Sequence, residues 1–205
     1  MNIESAKVRD RTSDELLSRK NEFFKICNIL DELNIDYYLH GGVLLGAIRD
    51  QDFIRWDWGI DIRVLYNGFL NKINPLTKLL EEAGFGILIT SKKKDDLKIV
   101  FKGKYPKEVS GYTIFAWNYS KMKDVYWRGN YSIPSKFFNS HSTISFLGKE
   151  FKCPLNPDKY LTYAYGDWKV PIRTSEKNLY NSDNYYKVSF LKHLKNIVKK
   201  VLNIN

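Results

Sequence analysis

The chain has 205 residues and a formal net charge of +10, from 33 Lys+Arg against 23 Asp+Glu, with 43% hydrophobic and 15% aromatic residues. This composition excludes an intrinsically disordered chain, and the length is that of one domain, with or without a small extension, around a substantial core. The charge calls for an anionic partner such as a nucleotide, a phosphorylated glycan or an acidic lipid surface, or else marks a Lys-rich solvated surface. No nucleic-acid-binding motif accompanies it, so nucleic acid is the least favoured partner.

Met1 to Lys20 is polar and lacks the apolar core of a signal peptide, and no window has the roughly 18 to 20 apolar residues of a membrane span. The expected location is cytoplasmic. Cys27 and Cys153 fit neither a disulfide framework nor a zinc spacing. Ser13-Asp14-Glu15 offers a helix cap. Leu16, Leu17, Phe23, Phe24, Ile26, Cys27, Ile29, Leu30 and Leu33 then recur at helical spacing, which makes Cys27 a packed thiol. This helix should pack on a sheet and lead through Asn34-Ile35-Asp36 into a first strand.

Tyr37 to Val64 carries the chemistry. An aromatic-apolar run reaches Gly41-Gly42, where missing side chains let backbone N–H groups approach a ligand, usually phosphate. His40 directly precedes the pair. Leu44-Leu45-Gly46-Ala47-Ile48 has the composition of a helix start and ends at Arg49. Ile60-Asp61-Ile62 sets a carboxylate between apolar neighbours, as on a half-buried strand. Asp57 lies four residues earlier; on one strand, period 2 puts both side chains on the same face. Strand, glycine pair, helix and acidic strand form the layout of a site holding a phosphorylated substrate against a metal ion.

Leu70 to Ala83 reads as an amphipathic helix closed by Gly84, and 85–90, 97–102 and 111–117 as strands. Seven lysines between Lys92 and Lys107 make either a solvated edge or a collar for an anion. Residues 118–150 look irregular; Tyr119, Tyr126, Trp127 and Tyr131 are packed aromatics or stacking surfaces, and His141 is a weak candidate ligand. Asp158 to Trp168 reads as a short helix with Gly166 at its end, and Asp167 is either a cap or a ligand contact. Tyr185 to Leu202 is a basic amphipathic helix that packs on its own domain or lies on an anionic membrane as a peripheral contact.

Gly41, Gly42, Leu44, Leu45, Gly46, Arg49, Ile54, Trp56, Asp57, Ile60 and Asp61 resemble a pattern of the LicD / fukutin-related phosphotransferases, Gly-Gly-[Ser/Thr]-Leu-Leu-Gly-x-x-Arg followed by Ile-Pro-Trp-Asp-x-Asp-[Ile/Val]-Asp. Phe151, Pro154, Tyr160, Leu161, Tyr165-Gly166-Asp167-Trp168 and Pro171 continue the resemblance, which covers about residues 20 to 172. It implies an α+β nucleotidyltransferase-like fold, a mixed β-sheet flanked by helices over residues 1–172, with 173–205 as a basic helical C-terminal extension. Three positions depart from the pattern. Val43 replaces Ser/Thr, Gly59 the middle Asp, and Thr113 the Asp of an Asp-Ile-Phe strand.

The resemblance further implies a CDP-activated small alcohol (choline, ribitol or glycerol) as donor and a glycan as acceptor, of the cell-surface, lipopolysaccharide or capsule kind. Asp61 and Asp57 become the catalytic pair that holds Mg²⁺ or Mn²⁺, which needs hard oxygen ligands. Gly41 and Gly42, with Arg49 and His40 beside them, become the phosphate-binding set. Gly59 and Thr113 withdraw two expected carboxylates, which opens the alternative of a retained fold that binds nucleotide or glycan, or acts as a scaffold, without turnover.

Overall fold

In the computed structural model, residues 8–57, 59–104 and 111–174 are described. The expected basic helix at 185–202, Trp58 and the end of the lysine run lie outside them. Helix α1 (Ser13–Glu32) starts one residue earlier than the acidic cluster suggested. Thr12 is the cap: its side chain accepts from Glu15 N–H, and the Glu15 carboxylate accepts from Thr12 N–H, a reciprocal capping box. The periodic residues Phe23, Ile26, Cys27 and Leu30 are buried as expected. Cys27 is a free thiol whose pKa burial pushes up to about 12.

The chain then makes β1 (Tyr37–Leu39), α2 (Gly41–Arg49), β2 (Gly59–Leu65) and α3 (Phe69–Glu82). Next come β3 (Gly86–Ser91), β4 (Lys98–Lys102) and the long β5 (Gly111–Ser120). The main sheet runs β1-β2-β5-β4-β3; the β2–β5 pairing is parallel and its other neighbours are antiparallel, so it is mixed. Along β2, Ile60, Ile62 and Val64 are buried at alternate positions, which turns Asp61 and Arg63 to the other face. The register sets Asp61 beside Thr113, and Thr113 beside Val100 of β4. A mixed sheet flanked by helices is therefore the observed fold class.

Residues 118–150 are not irregular. β5 carries on into β6 (Val125–Arg128) and β7 (Tyr131–Pro134), and a separate hairpin joins β8 (His141–Phe146) to β9 (Lys149–Pro154). The second turn is Leu147-Gly148, with φ of +52° and +84°, a two-residue loop of the kind hairpins favour. Leu is a poor marker for positive φ, and four-residue strands give too short a period to stand out. Helix α4 (Pro157–Tyr165) ends at Gly166 with φ +68°, as expected from the sequence. Among the described residues, no helix is long and apolar enough to cross a membrane.

Candidate active site

A cavity of about 530 Å³ opens on the Asp61 face of the sheet, walled by the start of α2, the turn before β2, strands β4 to β6 and the segment after α4. Gly41 and Gly42 are the first two residues of α2, so the pair is a helix start rather than a separate turn. The N–H groups of a first helical turn have no acceptor within the helix, and the dipole there favours negative charge. Gly41 has φ +59°, and a Cβ on it would lie 3.9 Å from Asp61 Oδ2 and 3.9 Å from the Tyr165 hydroxyl. On Gly42 a Cβ would come 2.1 Å from Asp57 Oδ2. A side chain at position 42 would occupy the space of the Asp57 carboxylate, whereas at position 41 a Cβ would only touch Asp61 and the bar is the positive φ. Val43, by contrast, is buried in the core.

Asp57 and Asp61 both line the cavity, but they do not share a strand face. Asp57 precedes β2, in a turn closed by its own N–H donating to Ile54 C=O at 3.0 Å. The expected period-2 alignment fails there, and a buried cation does the positioning instead. Arg19 of α1 is 1% exposed. Its Nη1 donates to Asp57 C=O at 3.2 Å, its Nη2 donates to Gly59 C=O, and Nη2 lies 3.5 Å from Asp57 Oδ2. The guanidinium also stacks over Phe53, 4.5 Å from the ring centre. Sequence reading missed Arg19, although it falls on the same helical stripe as Leu16, Phe23 and Ile26, where a cation is out of place.

His40 caps α2 without a side-chain cap bond, and its ring is buried against Arg63 and Tyr160. Arg63 Nη2 lies 3.4 Å from His40 Nε2 and 3.3 Å from the Tyr160 hydroxyl, which is 3.3 Å from His40 Nδ1. Arginine only donates, so Nε2 accepts and the proton sits on Nδ1. Burial, reinforced by the Arg63 and Arg128 charges, holds the His40 pKa well below 6.5. The ring is thus neutral and engaged by Arg63 and Tyr160. Arg63 itself lies 4.3 Å from the Trp117 ring centre and 4.4 Å from that of Phe138.

Arg49 lines the cavity with its Nε and Nη2 bonded to Asp50 Oδ1 and Oδ2 at 2.7 and 2.8 Å. Across the cavity, Asp96 bonds Lys98 Nζ at 2.8 Å and Arg128 Nη1 at 3.0 Å, and both cations line the wall. Lys98 belongs to the lysine run read as a solvated edge or an anion collar, whereas Arg128 was not singled out from sequence. Tyr131, Asp167 and Trp168 also face the cavity. His141 is exposed on β8 and outside the lining, Tyr119 is exposed with its hydroxyl on Asp124, and Tyr126 packs on Phe138.

Among the described residues, no three His, Cys, Asp or Glu side chains gather as a metal-ligand group. Two carboxylates at the α2 start nevertheless suit Mg²⁺, which keeps several waters and commonly takes one or two carboxylates plus substrate phosphates. The donor set fits an ion that arrives with phosphates, not one caged by protein alone.

A profile of the LicD/FKTN/FKRP nucleotidyltransferase domain matches residues 34–156, and the chain belongs to that family. The ribitol 5-phosphate transferases FKRP of Mus musculus and Homo sapiens are each 22% identical over 151 residues, covering 69% of this chain and 30% of theirs. The chain thus spans under a third of the length of those relatives. The solution structure of the antibiotic-resistance factor ANT(2'')-Ia superposes with a TM-score of 0.50 at 15% identity, over 92% of this chain and 96% of that one. The lincosamide antibiotic adenylyltransferase LnuA, lincomycin-bound, gives 0.46 at 16% identity, over 75% and 86%.

Proposed function

We propose that the protein is a transferase that moves a phospho-alcohol of the choline, ribitol or glycerol type from a CDP-activated donor to a glycan hydroxyl. One observation carries the reading: Asp57 and Asp61 are brought to the two glycines that open α2, inside a single cavity. The likeness to ribitol 5-phosphate transferases supports the class of donor. In this reaction the acceptor hydroxyl attacks the phosphorus bearing the alcohol, and the bond to the nucleoside monophosphate breaks. There is little covalent work for the protein; positioning and charge neutralisation dominate.

The Gly41 and Gly42 amides present donors to phosphate oxygens. Asp57 and Asp61 would hold Mg²⁺ or Mn²⁺, which would supply charge neutralisation for the diphosphate. Arg19 fixes the Asp57 turn. His40, neutral and hydrogen-bonded, acts as a positioning residue at the head of α2 and moves no proton. Tyr131 and Trp168 offer aromatic faces to base or sugar.

A second reading, a site that binds the same ligands without turnover, draws on Thr113. It sits beside Asp61 in register, where the resemblance expects a third carboxylate. Release of CMP from CDP-ribitol, CDP-glycerol and CDP-choline, measured with candidate glycans and Mg²⁺, separates the two. The transferase reading expects release that Asp61→Asn removes. Release that survives Asp61→Asn overturns the role of Asp61, and tight CDP binding with no release favours the binding module.

A further inference from the structure

We propose that Lys98 and Arg128, tied together by Asp96, form an oxyanion seat on the cavity wall away from the Asp57–Asp61 pair, and that the seat binds a substrate phosphate directly. The proposal rests on the transferase reading for the nature of the substrate, but not for the seat itself. Lys98 lies on β4 and pairs in register with Phe115 of β5, one row on from the Asp61–Thr113–Val100 row. Two strand spacings, roughly 10 Å, and a further two residues along the strands separate the Asp61 backbone from that of Lys98. The cavity therefore has an acidic pole and a basic pole on one sheet face.

Charge counting supports a ligand at the basic pole. One carboxylate, Asp96, takes both Lys98 Nζ and Arg128 Nη1, so the cluster keeps one positive charge in surplus. Both cations line the cavity, with 24% and 22% of their side chains exposed. The Arg128 guanidinium carbon lies 4.5 Å from the Phe115 ring centre, a cation–π contact that holds the group against the cavity wall, and a guanidinium fork suits a phosphate. Its Nε is enclosed and has no hydrogen-bond partner among the described residues. Phe115 in turn lies 5.3 Å from the His40 ring, so the seat adjoins the head of α2. A cationic seat of this kind lets the protein hold part of the phosphate charge without a divalent ion, in a site where Thr113 brings no carboxylate.

A seat differs from a surface ion-pair cluster in its response to Asp96. Removing either cation weakens phosphate binding, whereas Asp96→Asn frees a second positive charge and strengthens it. The test is calorimetric titration of CDP, inorganic pyrophosphate and glycerol 3-phosphate in EDTA, with melting curves to confirm that each variant folds. Lys98→Met and Arg128→Met are expected to weaken the phosphate ligand about tenfold, Lys98→Arg to retain it, and Asp96→Asn to tighten it several-fold. Weakened CDP places the donor diphosphate on the seat; weakened glycerol 3-phosphate with CDP unchanged places a phosphorylated acceptor there. Pyrophosphate binding that depends on Lys98, in a protein inactive on CDP-alcohols, keeps the seat and discards the transferase reading. Folded variants that bind all three ligands as the parent does, or an Asp96→Asn that weakens them, would overturn the seat.

Discussion

Gly42 and Asp57 are fitted to each other: a Cβ at position 42 would stand 2.1 Å from Asp57 Oδ2, inside the carboxylate's own volume. Because Arg19 holds the Asp57 turn from behind, the carboxylate cannot simply withdraw into the protein. Gly42→Ala should therefore leave the fold intact and swing the carboxylate out of place. A displacement of about 1 Å in a positioned group can cost on the order of 10²-fold in rate. We expect turnover of CDP-alcohols to fall by about that factor while the melting temperature moves by only a few degrees, read by CMP release and calorimetry.

Arg19 makes the complementary prediction for stability. It is 1% exposed and bonded to two backbone carbonyls and the Asp57 carboxylate. Arg19→Met removes the donors to both carbonyls and the ion pair to Asp57, and lost hydrogen bonds of a buried charged group cost about 2 kcal/mol. Arg19→Lys should recover little of it, because a point charge cannot span the same fork of acceptors. Urea unfolding midpoints of the two variants test this.

His40 predicts the direction of a pH effect. Burial, with the Arg63 and Arg128 charges behind it, lowers its folded pKa well below 6.5. The unfolded chain thus binds a proton there that the folded chain does not. The stability contribution is complete above pH 6.5 and is lost as pH falls below it. In denaturant titrations the acid-side loss should shrink in His40→Gln. Imidazole NMR signals of His40 in the folded protein should stay those of a neutral ring as pH falls through 6.5.

Thr113 and Gly59 mark where metal affinity can be rebuilt. Thr113 lies beside Asp61 on the open face of the sheet, so Thr113→Asp adds a carboxylate next to the proposed metal ligands. A Cβ on Gly59 would come 3.2 Å from Gly111 C=O, so Gly59→Asp needs the two strands to give by a few tenths of an ångström. Thr113→Asp alone should raise Mn²⁺ affinity about tenfold, measured by electron paramagnetic resonance, and Gly59→Asp should add less while lowering stability.

Much of this site was legible as residue types in a row. Gly41-Gly42, Asp57 and Asp61 stand out as glycines and carboxylates interrupting apolar runs, Asp167 reads as a cap or a ligand contact, and all five line one cavity. Longer elements were legible for the same reason that Phe23, Ile26, Cys27 and Leu30 form a stripe. What escaped was partnership. Arg19, Arg63 and the Asp96–Lys98–Arg128 cluster are ordinary charged residues in sequence, and only the crossing of α1 under the Asp57 turn, or of β6 beside β5, gives them roles. The Lys92–Lys107 run shows the limit well, for of its members Lys98 lines the cavity. Asp57 escaped the strand because the turn closed onto Ile54 is a backbone event with no side-chain signature.

The central claim is that Asp57 and Asp61 hold a divalent ion against the phosphates of a nucleotide-activated donor. Calorimetric titration of CDP into the parent protein and Asp61→Asn, each with Mg²⁺ and with EDTA, tests it most directly. The account predicts that Mg²⁺ tightens CDP binding by tenfold or more in the parent, and that Asp61→Asn abolishes the gain while leaving the binding measured in EDTA. CDP affinity in the parent that is the same with Mg²⁺ as with EDTA would contradict it.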